Sequence, residues 1–392
     1  MSVGQVGVFG LCSQDPRVNG SVSKDIAFYR SSSDAALAYP PPQDQILTRR
    51  AWLLDPLGHP SDLYYSDIAA DELKSLLTEF KPEIAVLEGL WTHRYIELLK
   101  AHQCRVILDC HDAHYPQSRQ LADLTDGDDL RARVIRKILP ERVKLIEHKA
   151  THAVDQLWVC SSKEARLMEG LYRPPAPIHV VPNGVDHSYY NEAGAGKHRQ
   201  PRPLAVTGRT FVFPAMFAYQ PNRVAAAFLI EEIFPRLANV FPDCRLVLAG
   251  SWPTAQMMDA AKREPRIVVT GSVPDIRPYL AAASAMVVPL FQGSGTRLKI
   301  LEAWAARVPV VSTAKGAEGL DAENEKHLLI AESAQEFVES LRRLWMNRSL
   351  AEKLIENGLE LVKREYSREA TSRRIRLAVN DLQASAPVPS RE

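Results

Sequence analysis

Two basic residues, Arg297 and Lys299, follow a glycine-rich turn at residues 293–296. The turn separates a short apolar run from an amphipathic helical pattern. A helix that begins after glycines presents backbone N–H groups and the positive end of its dipole, and glycine lets phosphate oxygens approach the backbone closely. Arginine and lysine place full positive charges beside that helix end. The junction therefore predicts a phosphate-binding site.

Glu302 lies further along the same helical pattern. A carboxylate beside a phosphate site can accept hydrogen bonds from the diol of a ribose, so the whole group predicts a binding site for a nucleoside diphosphate. A second interpretation stays open, in which the glycines serve only the turn and the charges are solvated. The loop matches neither GxxxxGK[ST] nor GxGxxG, which removes support for kinases, ATPases and common dehydrogenases.

Short apolar runs alternate with longer helical patterns along the chain, which is typical of α/β proteins with parallel, doubly wound sheets. Most runs are continuous, as expected for strands buried on both faces. The predicted strands are Val6–Leu11, Ile84–Glu88, Arg105–Asp109, Gln156–Cys160, His179–Val181, Thr210–Pro214, Arg245–Ala249, Arg266–Thr270, Ala285–Pro289 and Val308–Ser312. Helical patterns include Ala70–Phe80, Arg223–Phe241 and Ala334–Tyr366.

The length of 392 residues suits two domains, and a stretch rich in glycine, proline and charge divides the chain almost in half. Two α/β domains joined by one linker predict a cleft that faces the carboxyl ends of both sheets. The predicted segments are a first domain at 1–191, a linker at 192–208, a second domain at 209–365, a helix at 366–384 that packs back on the first domain, and a disordered tail at 385–392.

The net charge of +1 gives no general attraction to nucleic acid. The five cysteines are scattered without a CxxC pair, which argues against a disulfide scaffold or a zinc site. No apolar run approaches the length of a membrane span. We therefore expect a cytoplasmic protein. The basic stretch Asp129–Val154, interrupted near Pro140, has two interpretations: a solvated helix, or a surface that binds the inner face of an anionic membrane.

The segment GSGTRLKILEAWAARVPVVSTAKGAEGL resembles the nucleotide-sugar-binding signature of retaining glycosyltransferase family 4, in particular GGGTRLKILEAMAxGxPVVSTxxGAEGL. Residues 211–237 resemble FxFTGxMxYxPNxxAxxxFxxEIxPxL, and VVPNGVDHSYY resembles VVPNGVDxxYF. Further blocks, VLEGLW, VILDCHDAHY and RIVVTGSVPDIRPYL, agree in the same order. The resemblance implies the GT-B fold, with two Rossmann-like doubly wound domains facing each other across a cleft.

The resemblance also implies residue roles. Arg297 and Lys299 would hold the diphosphate, and Glu302 the ribose. The turn residues whose amides would assist them are Gly293, Ser294, Gly295 and Thr296. The residues against the nucleobase would be Val273, Pro274 and Asp275. The loop entering the interdomain region would contain Asn183 and Gly184.

His111 follows the predicted strand VILDC. The resemblance implies that it contacts the donor sugar near the anomeric carbon. The alternative is that its hydrogen bonds are satisfied locally at the end of the strand and it binds no ligand.

The sequence departs from the family pattern at several positions. Ser294 replaces the first glutamate of the E-x7-E motif, Ala215 replaces a glycine, and Arg307 replaces the glycine usual before PVVS. The segment QDPRVNGSVSKDIAFYR is a poor copy of the glycine-rich loop expected after the first strand. Either Val6–Leu11 is that strand with a divergent loop, or the strand is missing.

The activity implied is transfer of a sugar from a nucleoside diphosphate sugar to a sugar, glycolipid or small-molecule hydroxyl, with retention, without a metal and without a cofactor. The acidic cluster Asp126–Asp129 is interpreted as solvated surface. Two alternatives stay open: an inactive GT-B module that scaffolds a partner, and an epimerase or phosphorylase of the same fold.

Overall fold

The computed structural model describes residues 7–11, 35–39, 65, 67–123, 130–194, 209–293, 295 and 297–385. Contacts divide the chain into two compact units, residues 1–159 with 163–180, and residues 160–162 with 181–392. Most of the predicted linker, at 195–208, and the predicted tail from residue 386 lie outside the described residues. The predicted domain boundaries stay a prediction, although residues 181–191 group with the second unit.

The second unit contains a six-stranded parallel sheet with the order β12-β11-β10-β7-β8-β9. Its strands are β7 (Thr210–Pro214), β8 (Arg245–Ala249), β9 (Ile267–Gly271), β10 (Ala285–Val288), β11 (Val310–Ser312) and β12 (Leu329–Ile330). Numbered within the unit, this is the doubly wound order 3-2-1-4-5-6, whose direction of winding reverses between β7 and β10. Ligands bind such sheets beside the carboxyl ends of the strands at that switch point.

The first unit contains a four-stranded parallel sheet with the order β3-β4-β5-β6, and a separate parallel pair β1-β2. The strands are β1 (Gly7–Leu11), β2 (Ala35–Tyr39), β3 (Ile84–Glu88), β4 (Arg105–Cys110), β5 (Gln156–Val159) and β6 (Ile178–Val180). The predicted first strand exists, paired with a strand that the sequence did not predict. The loop after it lies outside the described residues.

Helices separate most consecutive strands, as the alternating pattern predicted, whereas β12 follows β11 without a helix between them. In the first unit they are α1 (Asp67–Phe80), a 3₁₀ turn (Leu90–Tyr95), α2 (Ile96–Ala101), α3 (His114–Asp123), α4 (Leu130–Lys137), α5 (Leu139–Ala153) and α6 (Ser162–Tyr172). In the second unit they are α7 (His187–Gly194), α8 (Gln220–Phe228), α9 (Phe234–Val240), α10 (Ala255–Arg263), α11 (Arg277–Ala282), α12 (Leu298–Ala305), α13 (Ala334–Met346), α14 (Arg348–Leu361) and α15 (Arg368–Ala384).

Two of the predicted helical patterns are interrupted. A π-helical segment, Leu229–Ile233, joins α8 to α9, because Pro235 in the first turn of α9 has no N–H to donate to the preceding turn. The pattern predicted over Ala334–Tyr366 is interrupted at Asn347. The Asn347 side chain accepts a hydrogen bond from the Leu350 amide at 3.0 Å and caps the start of α14. Such a cap starts a new helix.

Separate hydrophobic cores fill the two units. Every residue of β7 and β10 is buried, as the continuous apolar runs predicted. The end of the second unit is tied to residues 181–185. The Val185 amide donates to the Tyr366 carbonyl at 2.7 Å, and the Thr371 hydroxyl donates to the Pro182 carbonyl at 3.1 Å.

The basic stretch forms two helices, α4 and α5, with the break at Ile138 just before Pro140. Leu130, Ile138 and Leu145 leave 78%, 41% and 40% of their surface exposed among the basic residues. Membrane association through this stretch stays a prediction. Within the described parts of the chain, no helix has the length and apolar character that crossing a bilayer requires.

Candidate functional site

The turn after β10 adopts the backbone conformation that its glycines allow. Gly293 and Gly295 have φ angles of +100° and +82°, values that residues with side chains rarely adopt. A Cβ added to Gly293 would lie 3.1 Å from Tyr219 Oη and 3.5 Å from Arg297 Nη1. Glycine therefore leaves room for the guanidinium directly beside the turn. Ser294 and Thr296 lie outside the described residues.

Helix α12, which follows the turn, is anchored deep in the core. The Trp304 indole is fully buried and donates to the His327 carbonyl at 3.0 Å. Gly358 of α14 allows this contact, since a Cβ there would lie 2.5 Å from Trp304 Cδ1. Leu298, the first residue of the helix, is 42% exposed, whereas Leu301 and Ala305 are buried further along it.

Arg307 ends the helix in place of the family's glycine. Its φ is +61°, its amide donates to the Trp304 carbonyl at 3.0 Å, and the next amide, of Val308, donates to the Ala303 carbonyl at 2.8 Å. This pair of bonds is the Schellman motif, in which a left-handed residue at this position is usually glycine. The departure noted in the sequence is therefore a conformational cost at the helix end.

Arg297 and Lys299 lie together at the amino end of α12. Arg297 is buried, and its Nη2 donates to the Lys315 carbonyl at 3.4 Å. The Lys299 ammonium donates to Asn222 Oδ1 at 3.3 Å and sits 4.4 Å from the Phe213 ring centroid. Phe213 belongs to β7 and Asn222 to α8, so Lys299 spans the switch point of the sheet. The two predicted phosphate-binding cations are thus brought together where this topology places ligands.

The positive charges in this region destabilise each other. Burial, and then repulsion from Arg297, lower the pKa of Lys299 to about 7, although Glu302 acts in the opposite direction. The negative charge of an anion bound beside Lys299 would oppose both effects and raise the pKa of Lys299. A strongly perturbed cation of this kind is typical of a ligand site.

Glu302 accepts a hydrogen bond from a residue that sequence analysis left without a role. The Tyr190 hydroxyl, from α7, donates to Glu302 Oε1 at 2.9 Å. Burial, followed by the charge of Glu302, raises the pKa of Tyr190 well above its ordinary value. The phenol therefore stays a donor throughout the physiological range.

The predicted nucleobase loop is organised by an ion pair. The carboxylate of Asp275 contacts Arg277 Nη2 at 2.8 Å and accepts the Arg277 amide at 2.9 Å. The guanidinium lies 3.6 Å from the Tyr189 ring centroid. Asp275 thus acts here as a partner of Arg277, while Val273 is half-buried in the loop before it.

His111 belongs to the first unit and follows β4, as predicted. Its Nε2 lies 3.1 Å from Glu88 Oε1 at the end of β3, and this bond raises the pKa of His111. Burial raises the pKa of the neighbouring Asp109 to about 6. The imidazole remains 40% exposed, so it is oriented by Glu88 and still accessible. Its proposed contact with a donor sugar stays a prediction.

A buried carboxylate holds the start of α3, just after His111. Glu147 of α5, 1% exposed, accepts the amides of His114 and Tyr115 at 2.6 and 3.0 Å. Tyr172 donates its hydroxyl to the same carboxylate at 2.5 Å. Burial, reinforced by His111, lowers the pKa of His114 to about 4, so that ring is neutral near pH 7.

The other predicted positions have simpler outcomes. Gly184 lies beside α15, where a Cβ would come within 2.8 Å of Thr371 Oγ1. The acidic cluster at 126–129 lies outside the described residues. Across the described parts of the chain, no three His, Cys, Asp or Glu side chains are grouped as a metal ion would require.

Four contributors to this region had no role assigned from the sequence: Tyr190, Phe213, Asn222 and Arg277. Asn222 and Phe213 lie in the block 211–237, and Tyr190 ends the block VVPNGVDHSYY. The motifs contained the signal, but the pairing of these side chains with α12 is visible only in the fold.

Family models match both halves of the chain. Residues 26–184 match the Glycosyl transferase 4-like domain, and residues 208–347 match Glycosyl transferases group 1. The chain combines a glycosyl transferase 4-like domain with a group 1 glycosyl transferase domain. The predicted phosphate and ribose residues, Arg297, Lys299 and Glu302, all lie within the group 1 match.

Individual proteins are similar over different lengths of this chain. An Escherichia coli protein, UDP-Gal:alpha-D-GlcNAc-diphosphoundecaprenol alpha-1,3-galactosyltransferase, is 27% identical over 217 residues, which is 50% of this chain and 53% of that protein. The chain thus matches about half the length of this curated relative.

Solved structures share the fold of this chain. Sucrose-phosphate synthase from Thermosynechococcus elongatus superposes with a TM-score of 0.64 at 14% identity, over 97% of this chain and 100% of that one. Anabaena Alr3699/HepE in complex with UDP gives 0.65 at 12% identity, over 96% and 100%. These structures are GT-B glycosyltransferases, so the predicted α/β fold class is confirmed.

Proposed function

We propose that this protein transfers a glycosyl group from a nucleoside diphosphate sugar to an acceptor hydroxyl with retention of configuration. The observation that carries the proposal is the pair Arg297 and Lys299 at the switch point, beside the amino end of α12 and the carboxylate of Glu302. The two cations and the helix end match the diphosphate, and the carboxylate matches the diol of the ribose.

The chemistry follows from where charge develops. The bond between the anomeric carbon and the diphosphate oxygen breaks, the acceptor oxygen bonds to that carbon, and the acceptor proton passes to the departing diphosphate. Arg297, Lys299 and the N-terminus of α12 stabilise the negative charge that grows on the leaving group. Retention by attack on the face of departure, and transfer without a metal, are part of the proposal.

Relatives suggest the donor to try first. The Anabaena structure contains UDP, and the E. coli relative is named for UDP-Gal and a lipid-linked sugar acceptor. We propose a uridine diphosphate sugar as donor and a sugar or glycolipid as acceptor. The same comparisons favour a transferase over a scaffold or an epimerase.

A thermal-shift screen tests the proposal directly. UDP, ADP, GDP, CDP and dTDP, and the sugar conjugates of any nucleotide that binds, are added to the full chain. We expect at least one of them to raise the melting temperature, and an Arg297→Ala variant to lose that shift. If no nucleotide changes the melting temperature of the wild-type protein, the proposal is wrong.

The role of His111 needs a separate measurement. With the donor identified, His111→Ala should slow donor hydrolysis or transfer while leaving the affinity for the nucleoside diphosphate unchanged. An equal loss of nucleotide affinity would contradict a role confined to the sugar. The anomeric configuration of the product, read by NMR, decides whether transfer occurs with retention.

A further inference from the structure

Tyr190 occupies a position that no motif explains. Its hydroxyl lies 2.9 Å from Glu302 Oε1, and the two residues are 112 positions apart in the chain. We propose that Tyr190 is a positioning residue for Glu302, and that through this bond it strengthens the preference for ribonucleotides over 2′-deoxyribonucleotides. This inference rests on the proposed nucleotide-binding function.

The bond acts on an otherwise loosely defined side-chain torsion. The terminal torsion of glutamate has broad minima, so a carboxylate without a fixed partner samples many orientations. When Oε1 of Glu302 accepts a hydrogen bond from the Tyr190 hydroxyl, the orientation of the carboxylate is restricted. Its other oxygen then remains available for a second hydrogen bond. A carboxylate oriented in advance loses less entropy when ribose hydroxyls bind to it.

Tyr190 is itself held in place. Its ring packs against the core of the second unit and meets the Tyr189 ring edge to face, with centroids 5.4 Å apart. Tyr189 in turn supports the Arg277 guanidinium at 3.6 Å, and Arg277 pairs with Asp275. Contacts therefore run without interruption from the predicted nucleobase loop to the carboxylate expected to bind the ribose.

The hydroxyl distinguishes this chain from the pattern it resembles. VVPNGVDHSYY ends in tyrosine, whereas VVPNGVDxxYF ends in phenylalanine. A phenylalanine fills the same space without donating to Glu302. The substitution Tyr190→Phe thus removes the proposed interaction and preserves the ring.

The test compares the affinities of UDP and 2′-deoxy-UDP by calorimetry in the full-length wild type, Y190F and Y189F. We expect the wild type to prefer UDP, and the preference to fall about fivefold in Y190F, mainly through weaker UDP binding. Y189F, which keeps the ring over Arg277, should retain the wild-type preference. An unchanged preference in Y190F would overturn the inference.

A double-mutant cycle separates positioning from a general structural effect. In a Glu302→Ala background, adding Y190F should have no further effect on the ratio of the two affinities. An equal reduction in both backgrounds would show that Tyr190 does not act through Glu302. If Y190F is unstable, Tyr190→Leu provides a second variant without the hydroxyl.

The outcomes also separate this inference from the proposed function. A wild-type protein that binds no nucleoside diphosphate defeats both. A wild-type protein that binds UDP with no preference over 2′-deoxy-UDP defeats only the role assigned to Tyr190.

Discussion

The ammonium of Lys299 lies 4.4 Å from the centroid of the Phe213 ring, so a cation from the helix after β10 rests on an aromatic side chain of β7. The ring faces a partly desolvated charge, where such contacts are strongest. Asn222 fixes the same ammonium from a second direction at 3.3 Å. The ammonium proposed to bind phosphate is therefore oriented before any ligand arrives.

This placement predicts proton uptake on ligand binding. Lys299 has a pKa of about 7 in the ligand-free protein, and a diphosphate should raise it, since the charged form then has a partner. Above pH 7 the site must gain a proton to bind, so affinity should fall by up to tenfold per pH unit. Calorimetry from pH 7.5 to 9, in buffers with different ionisation enthalpies, measures the protons taken up.

Lys299→Met is the control for that measurement. It should bind the nucleotide more weakly at pH 7 and show no uptake at this site. If the wild type binds UDP with the same affinity at pH 7.5 and pH 9, Lys299 does not contact the phosphates.

Glu302→Ala should weaken UDP binding by about 10- to 100-fold, because charge-assisted hydrogen bonds to the ribose are lost. The change leaves the packing of α12 intact, so the melting temperature without ligand should change little. Glu323→Ala removes an exposed carboxylate paired with Lys326 and serves as the matched control. Unchanged UDP affinity in Glu302→Ala would remove the ribose role of this residue.

Arg307→Gly should stabilise the second unit by about 1 kcal/mol, since glycine adopts the left-handed conformation at this helix end without steric cost. Arg307→Ala retains the Cβ and should give no such gain. The free energy of unfolding in urea distinguishes the two. If Arg307→Gly and Arg307→Ala were equally stable, the left-handed conformation at residue 307 would have no steric cost that glycine removes.

Two glycine-to-alanine substitutions in helices should change the free energy of unfolding in opposite directions. Gly170→Ala in α6 meets nothing within 4 Å, so it should stabilise by about 0.5–1 kcal/mol. Gly358→Ala in α14 places a Cβ 2.5 Å from the Trp304 ring and should destabilise by about 1–3 kcal/mol. Urea unfolding, with hydrogen exchange of the two helices, measures both. Stabilisation by Gly358→Ala would mean that Trp304 can move without cost.

The sequence was most informative where the physical signal is local. Continuous apolar runs identified β7 and β8 with their observed bounds, because strands buried on both faces need apolar residues at every position. The run at β3 also gave the observed bounds, although none of its five residues is fully buried. Strand β12 was missed because only two residues pair. The break at Asn347 was predictable in principle, since asparagine before a helical pattern is a capping signal.

The residue types of the candidate site could be predicted from the sequence, but only some of the contacts between them could. Lys299 and Glu302 lie on α12 and Arg297 directly precedes it, so spacing alone brings them together. Their partners come from distant segments: Asn222 is 77 positions from Lys299, and Tyr190 is 112 from Glu302. No periodicity records which distant side chains meet, because that depends on how the strands are ordered in the sheet.

Hydrogen bonds join residues 182–185 to residues 366–371. This part of the protein can therefore fold only after both segments have been synthesised. Pro182 and the Thr371 hydroxyl that bonds to it are 189 residues apart. A ribosome adding about 5–20 residues per second exposes the first partner some 10–40 s before the second. Tyr190 follows this segment in the chain, so the proposed nucleotide site takes its final form only after Thr371 has been synthesised.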